Sequence, residues 1–170
     1  LMITALCKLA GATLVAVSDL VPYRLKAARD FGADLIVDAR EENLATAVRA
    51  ETDGLGADVV FVTAPSPKAF EAGLAALRKG GTLLIFAPTE PSVSVPLRPN
   101  RLFFSEITIT ASYSTTHVET RAALSLLLAH RGLFSKLITH EFPLERISDA
   151  FKLAKESKEC LKVVVRSGGS

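Results

Sequence analysis

The sequence has few of the features that are typical of secreted proteins, of proteins stabilised by metal ions and of membrane proteins. It has only two cysteines in 170 residues, Cys7 and Cys160, and they form no pair with the close spacing of zinc ligands. This scarcity argues against a disulfide framework and predicts a reducing, cytoplasmic compartment. No apolar run reaches the about 18 residues that a membrane-spanning helix needs, and no basic region precedes the first apolar stretch. The sequence therefore predicts neither a membrane span nor a signal peptide.

An excess of charge of one sign is also lacking. The chain has 20 Lys and Arg against 18 Asp and Glu, which gives a formal net charge of +2, and the two signs are interleaved. We therefore predict no nucleic-acid partner and no association with anionic membranes. The length and the 49% apolar content are typical of one domain with a sizeable core. Because the first residue is Leu rather than Met, we expect the chain to be a piece of a longer protein.

The first half of the sequence alternates between apolar runs and helical patterns. The apolar runs show no polar alternation, which predicts strands that are buried on both faces. Strands that alternate with helices predict an α/β fold, a doubly wound parallel sheet with helices on both faces. The predicted strands are 12–18, 34–38, 56–64 and 82–87, and the predicted helices are 1–10, 22–31, 43–52 and one that runs from 67 to a glycine stop at 80 and 81.

The regular alternation of apolar runs and helical patterns ends at Pro88, where a proline-rich loop begins. The segment 106–112 alternates between apolar and polar residues, which predicts a strand near a sheet edge. Thr116 precedes Glu119 by the spacing of a capping box, so a helix is expected to begin there. The remaining predicted elements are a short helix at 101–104, a long apolar helix up to about 131, an extended segment at 136–144, an amphipathic helix at 145–157, a strand at 160–166 and a flexible tail at 167–170.

One acidic residue stands where a ligand could bind. Asp19 ends the apolar run "LVAVSD", and a helical pattern begins directly after it. Ligands of doubly wound sheets bind beyond the carboxyl ends of the strands, where a carboxylate can accept both hydroxyls of an adenosine ribose and repel the 2′-phosphate of NADP. Arg24 follows in the first turns of the helix and could reach the same ribose. The alternative is that Asp19 caps the helix and Arg24 is a solvated surface residue; this stretch alone leaves both open.

The glycine-rich fingerprint G-x-G-x-x-G of dinucleotide-binding folds is missing. It normally lies between the first strand and the first helix. The segment "LMITALCKLAGA" has the pattern of that first helix, so we expect the third glycine of the motif to fall just before Leu1. Counted from the first glycine of such a motif, Asp19 would lie roughly 20 residues on, near the spacing expected of a ribose-binding acid. We therefore expect a sheet that lacks its first strand and its glycine-rich loop.

Four segments carry a resemblance to a known family. They are "KLAGATLVAVSDLVPYRLKAARDFGAD", "GADVVFVTAPSPKAFEAGLAALRKGGTLLIFAP", "LFFSEITITASYS" and "LITHEFPLERISDAFKLAKESKECLKVVVR". In this order and spacing, the sequence resembles the cofactor-binding half of the zinc-dependent medium-chain dehydrogenases, and most of all the sorbitol and threonine dehydrogenase branch. The resemblance implies a Rossmann-type NAD-binding domain over 1–166. It also implies that the intact enzyme oxidises a small alcohol or polyol with NAD(P) and a catalytic zinc.

The resemblance implies cofactor contacts residue by residue. Asp19 and Arg24 match the contacts to the adenosine ribose, which favours NAD. Three further groups match successive strand ends: the first lines the cofactor groove, the second meets the nicotinamide carboxamide through its backbone, and the third lies beside the nicotinamide. For the first two groups, ordinary strand-to-helix turn chemistry is the alternative. The three groups are Thr63, Ala64 and Pro65; Phe86, Ala87 and Pro88; and Ala111, Ser112 and Tyr113.

The catalytic half of the resembling family is not present in this sequence. Its zinc ligands lie in an N-terminal catalytic domain, and His117, His130 and His140 do not replace them because no two have close ligand spacing. We therefore expect zinc in the full-length enzyme but none bound by this chain, no catalytic residues here, and no activity of the chain alone. The resemblance also implies a homodimer in which the strand at 106–112 pairs with its copy.

Two other functions stay open at the level of sequence. One is a zinc-free quinone reductase, which shares the fold; such enzymes commonly prefer NADP, so Asp19 counts against it. The other is a non-catalytic NAD-binding module such as an NAD sensor. Zinc ligands upstream of this chain would favour the dehydrogenase over both.

Overall fold

Helices and strands alternate along the chain in the computed structural model, which describes residues 1–168. The helices are α1 (Met2–Leu9), α2 (Pro22–Asp30), α3 (Leu44–Ala50), α4 (Pro67–Ala76), α5 (Pro99–Ser105), α6 (His117–Ala129), α7 (Arg131–Phe134) and α8 (Ile147–Glu156). The strands are β1 (Ala16–Asp19), β2 (Leu35–Asp38), β3 (Ala57–Val62), β4 (Leu77–Ile85), β5 (Thr108–Ala111), β6 (Ile138–Pro143) and β7 (Lys162–Arg166). Short 3-10 turns at Ser135–Leu137 and Leu144–Arg146 flank β6.

The strands are parallel throughout, which confirms the predicted α/β class. Hydrogen bonds join them into three sheets with the orders β1-β2, β3-β4-β5 and β6-β7. The chain forms two compact units: residues 1–38 with the chain from Thr115 onward, and Ala39–Ser114. The first unit holds the sheets β1-β2 and β6-β7, and the second holds the three-stranded sheet.

In the first unit, β1 is shorter than the predicted strand 12–18. It begins at Ala16 and extends through Asp19, which lies in register with Asp38 on β2. The predicted start is wrong because the Val15 N–H does not join a ladder; it donates to Asp34 Oδ2 at 2.7 Å. The apolar core of this unit includes one cluster of buried residues from both ends of the chain, namely Ala5, Phe31, Phe134 and Leu137.

A lysine and an aspartate connect α1 to the two strands. Lys8 Nζ lies 3.0 Å from Asp34 Oδ2, the same oxygen that accepts the Val15 amide. The Lys8 side chain passes close to Gly32, where a Cβ atom would lie 2.8 Å from Lys8 Cγ. Gly32 also has a φ of +92°, a conformation that side-chain-bearing residues rarely adopt. Glycine at this position therefore ends α2 and leaves room for the lysine.

In the second unit, the core lies between the sheet and α4. Its buried residues are Val62, Phe70, Leu74, Leu77 and Leu83. The prediction that 56–64 is buried on both faces is wrong: Val59 is 48% exposed and Phe61 is 37% exposed. Within residues 1–168, β3 pairs with β4 alone, so it lies at a sheet edge, where its side chains receive less cover.

The passage from α4 into β4 also differs from the prediction. The helix ends at Ala76 and the strand begins at Leu77, so the glycines expected to stop the helix lie inside β4 instead. Because the chain runs straight into the strand, the last carbonyls of α4 need other partners. Two arginines supply them: Arg49 Nη2 donates to Ala75 O at 2.8 Å, and Arg101 Nη2 donates to Leu74 O at 3.3 Å.

The remaining elements follow the predicted order. The capping box at Thr116 and Glu119 is confirmed at the start of α6, a helix without a buried residue. Strand β5 forms one edge of the three-stranded sheet, as predicted for 106–112. Among residues 1–168, no helix combines the length and the apolar character that crossing a bilayer requires. The predicted flexible tail, 167–170, lies partly outside the described residues.

Candidate cofactor-binding site

Asp19 is the last residue of β1, and its carboxylate contacts a backbone amide and an arginine. The Val21 N–H donates to Oδ1 at 2.9 Å, and Arg24 Nη1 lies 3.9 Å from Oδ2. The side chain of Asp19 is 30% exposed and that of Arg24 is 51% exposed, so solvent and ligands can reach both. The structure therefore brings together the two residues that the sequence assigned to the ribose.

The structure does not show Asp19 as the cap of α2. The residue at the N-cap position of α2 is Val21, and no side chain caps this helix. Asp19 instead binds the amide two residues ahead, which is the geometry of an Asx turn. One oxygen thus turns the chain from β1 into α2, while the second oxygen faces the guanidinium of Arg24. A structural role and a ligand role are compatible because they use different oxygens.

The beginning of α1 lies near the same carboxylate. Burial lowers the pKa of the Leu1 amino group, and the negative charge of Asp19 raises it, so the two groups lie within electrostatic range of each other. No side chain caps the first turn of α1. A helix start carries partial positive charge and free amide donors, which attract phosphate groups. The first unit therefore has a partly exposed carboxylate at the end of β1 and a helix start without a side-chain cap.

The other nine predicted residues follow the carboxyl ends of three adjacent strands in the second unit. The ladders continue past the strands: the Phe86 and Ala87 N–H groups donate to Val62 O at 3.0 and 3.2 Å, and the Ser112 N–H donates to Ile85 O at 3.2 Å. These bonds align the three strand ends in one row. The residues of the row are Thr63, Ala64 and Pro65 after β3; Phe86, Ala87 and Pro88 after β4; and Ala111, Ser112 and Tyr113 at the end of β5.

Two aromatic side chains of this row are strongly exposed. Tyr113 is 96% exposed and Phe86 is 54% exposed. Ser114 follows with a φ of +62°, so the chain turns sharply after β5. The row belongs to the second unit, whereas Asp19 and Arg24 belong to the first. Each group is thus organised by the sheet of its own unit.

The described residues contain no group of three or more His, Cys, Asp or Glu side chains that could hold a metal ion. His117 begins α6, His130 ends it, and His140 lies in β6 with Nδ1 3.0 Å from Thr139 Oγ1. Burial raises the pKa of the Cys7 thiol. Nothing among residues 1–168 therefore suggests where zinc would bind.

Sequence reasoning missed Asp38 as a neighbour of the candidate site. Asp38 ends β2 and lies in register with Asp19 on β1. The signal was present, because "DLIVD" ends an apolar run at an acid just as "LVAVSD" does. Only the register of the two strands, which the sequence does not reveal, places the two acids side by side.

Comparison with known proteins shows the family to which this chain belongs. A sequence model described as zinc-binding dehydrogenase matches residues 1–129. The chain is 33% identical to sorbitol dehydrogenase of Bacillus subtilis, covering 97% of this chain and 46% of that protein. It is 34% identical to L-threonine 3-dehydrogenase of Bacillus subtilis, covering 97% of this chain and 47% of that protein.

Solved structures agree with the sequence matches. An alcohol dehydrogenase from Thermotoga maritima matches with a TM-score of 0.88 at 30% identity, over 95% of this chain and 45% of that chain. A 2R,3R-butanediol dehydrogenase from Bacillus subtilis matches with a TM-score of 0.87 at 25% identity, over 98% of this chain and 47% of that chain. The chain thus spans about half the length of the relatives that it matches. The resemblance found in the sequence is confirmed, and the chain belongs to the zinc-binding dehydrogenase family.

Proposed function

We propose that this chain is the NAD-binding part of a dehydrogenase that oxidises a small alcohol or polyol. The observation that carries the proposal is the arrangement at the end of β1. There, one oxygen of Asp19 is held by the Val21 amide and the other faces Arg24, and the charge of the carboxylate acts on the start of α1. A carboxylate beside a helix start suits an adenosine ribose joined to a phosphate.

In this proposal, different residues of the chain bind different parts of NAD. Asp19 Oδ2 would accept hydrogen bonds from the ribose hydroxyls, while Arg24 would lie against the same sugar. Amides at the start of α1 would face the phosphates, and the row of strand ends after β3, β4 and β5 would face the nicotinamide part. When bound, NAD supplies the hydride acceptor. The chain itself contributes position and electrostatics.

The proposal assigns the catalytic zinc to a part of the intact enzyme outside this chain. The residues present do not fit a zinc site, since no group of three ligand-type side chains occurs among residues 1–168. We assign the catalytic zinc, and most contacts to the alcohol, to the part of the relatives' length that this chain does not span. The free cysteines Cys7 and Cys160 are in keeping with a cytoplasmic, reducing location.

We also propose that two copies associate through β5. Its outer edge lacks a partner strand within residues 1–168, and an unpaired edge tends to pair with another chain. The exposed Phe103 and Phe104, whose ring centroids lie 5.2 Å apart on the preceding helix α5, add apolar surface to the same unit.

Substitution of Asp19 tests the cofactor proposal. Asp19→Ala removes a charge-assisted hydrogen bond, so we expect the affinity for NAD to fall roughly tenfold to hundredfold. NADP binding should suffer less, because a repulsion with the 2′-phosphate is also removed. Titration of the labelled chain with each nucleotide, followed by NMR, gives both dissociation constants even when binding is weak.

Asp19→Asn is the matched variant, because an asparagine keeps an acceptor for the Val21 amide and removes only the charge. With this variant we expect an unchanged melting temperature, weaker NAD binding and a narrower preference for NAD over NADP. If the Asn variant binds both nucleotides in the wild-type ratio, Asp19 only turns the chain and the ribose role is wrong.

A further inference from the structure

We draw no further inference here: the strongest candidate, the exposed apolar surface that Val118, Leu124 and Leu128 form on α6, carries none, because nothing in the structure shows what covers it.

Discussion

At the scale of single residues, carboxylates fix the beginning and the end of β1. Asp34 accepts the Val15 amide just before the strand, and Asp19 accepts the Val21 amide just after it. The hydrogen bond from Val15 and the contact with Lys8 hold the pKa of Asp34 below its ordinary value. Asp19 has in addition an oxygen that faces Arg24. The two acids thus differ in their contacts: one oxygen of Asp34 is shared by an amide and a lysine, whereas the second oxygen of Asp19 has the more distant Arg24 as its neighbour.

The lowered pKa of Asp34 predicts a pH dependence of stability. A carboxyl group with a lower pKa in the folded state stabilises that state above its unfolded pKa, and this stabilisation is lost as the pH falls through the folded pKa. We expect Asp34→Asn to lower the free energy of unfolding by about 1 kcal/mol at pH 7, since the side chain is partly exposed. The difference from wild type should persist down to about pH 5 and shrink below about pH 4.

Urea unfolding across this pH range measures the difference. Asp30→Asn, which also removes one carboxylate, controls for the change in net charge. A gap between wild type and Asp34→Asn that stays constant down to pH about 2 would show that the charge of Asp34 contributes nothing.

At the scale of elements, β5 has one side chain that packs against the core and others that are exposed to solvent. Ile109 packs against the core cluster of the second unit, whereas Thr108 and Thr110 are exposed. Glu106, before the strand, has a φ of +52° and ends α5. The strand is therefore fixed on its inner side by β4 and presents its outer edge to solvent.

A charge placed on this edge should prevent the proposed pairing of two copies. We expect the wild-type chain to be a dimer and Thr110→Lys to be a monomer in light scattering, because lysines on edge strands oppose edge-to-edge association. The melting temperature should become independent of protein concentration in the variant. Ser92→Lys, in an exposed loop of the same unit, is the control and should remain dimeric. A wild-type chain that is monomeric at all concentrations would contradict the proposal.

At the scale of the whole molecule, the chain matches about half the length of its relatives and offers no group of metal ligands among residues 1–168. We therefore expect the purified chain to show no oxidation of small alcohols or polyols with NAD, whether or not zinc is added. The absorbance of reduced nicotinamide measures the reaction, and nucleotide binding should be checked in the same sample. Zinc-dependent turnover above the blank would contradict the proposal that the catalytic zinc is bound outside this chain.

The sequence was sufficient for the order of elements and for where the strands with the predicted site residues end, because both depend on local patterns. The run before Asp19 and the capping box at Thr116 are examples in which neighbouring residues decide the structure. The start of β1 was not predictable, since the Val15 amide is taken by Asp34 from a distant part of the chain. Exposure of Phe61 and the register of Asp19 with Asp38 likewise depend on which strands pair. Pairing is a tertiary property that apolar runs alone do not determine.

The contacts that join Lys8, Val15 and Asp34 have a consequence for the way the chain is made. They close loops of 19 and 26 residues, and short loops cost little chain entropy to close. A ribosome releases the N-terminal part of a chain first. These contacts can therefore form while later residues are still being synthesised. The cluster of Ala5 and Phe31 with Phe134 has to wait until the chain has emerged from Asp34 as far as Phe134. For that interval the polar contacts hold α1 near the two strands while its apolar side lacks Phe134.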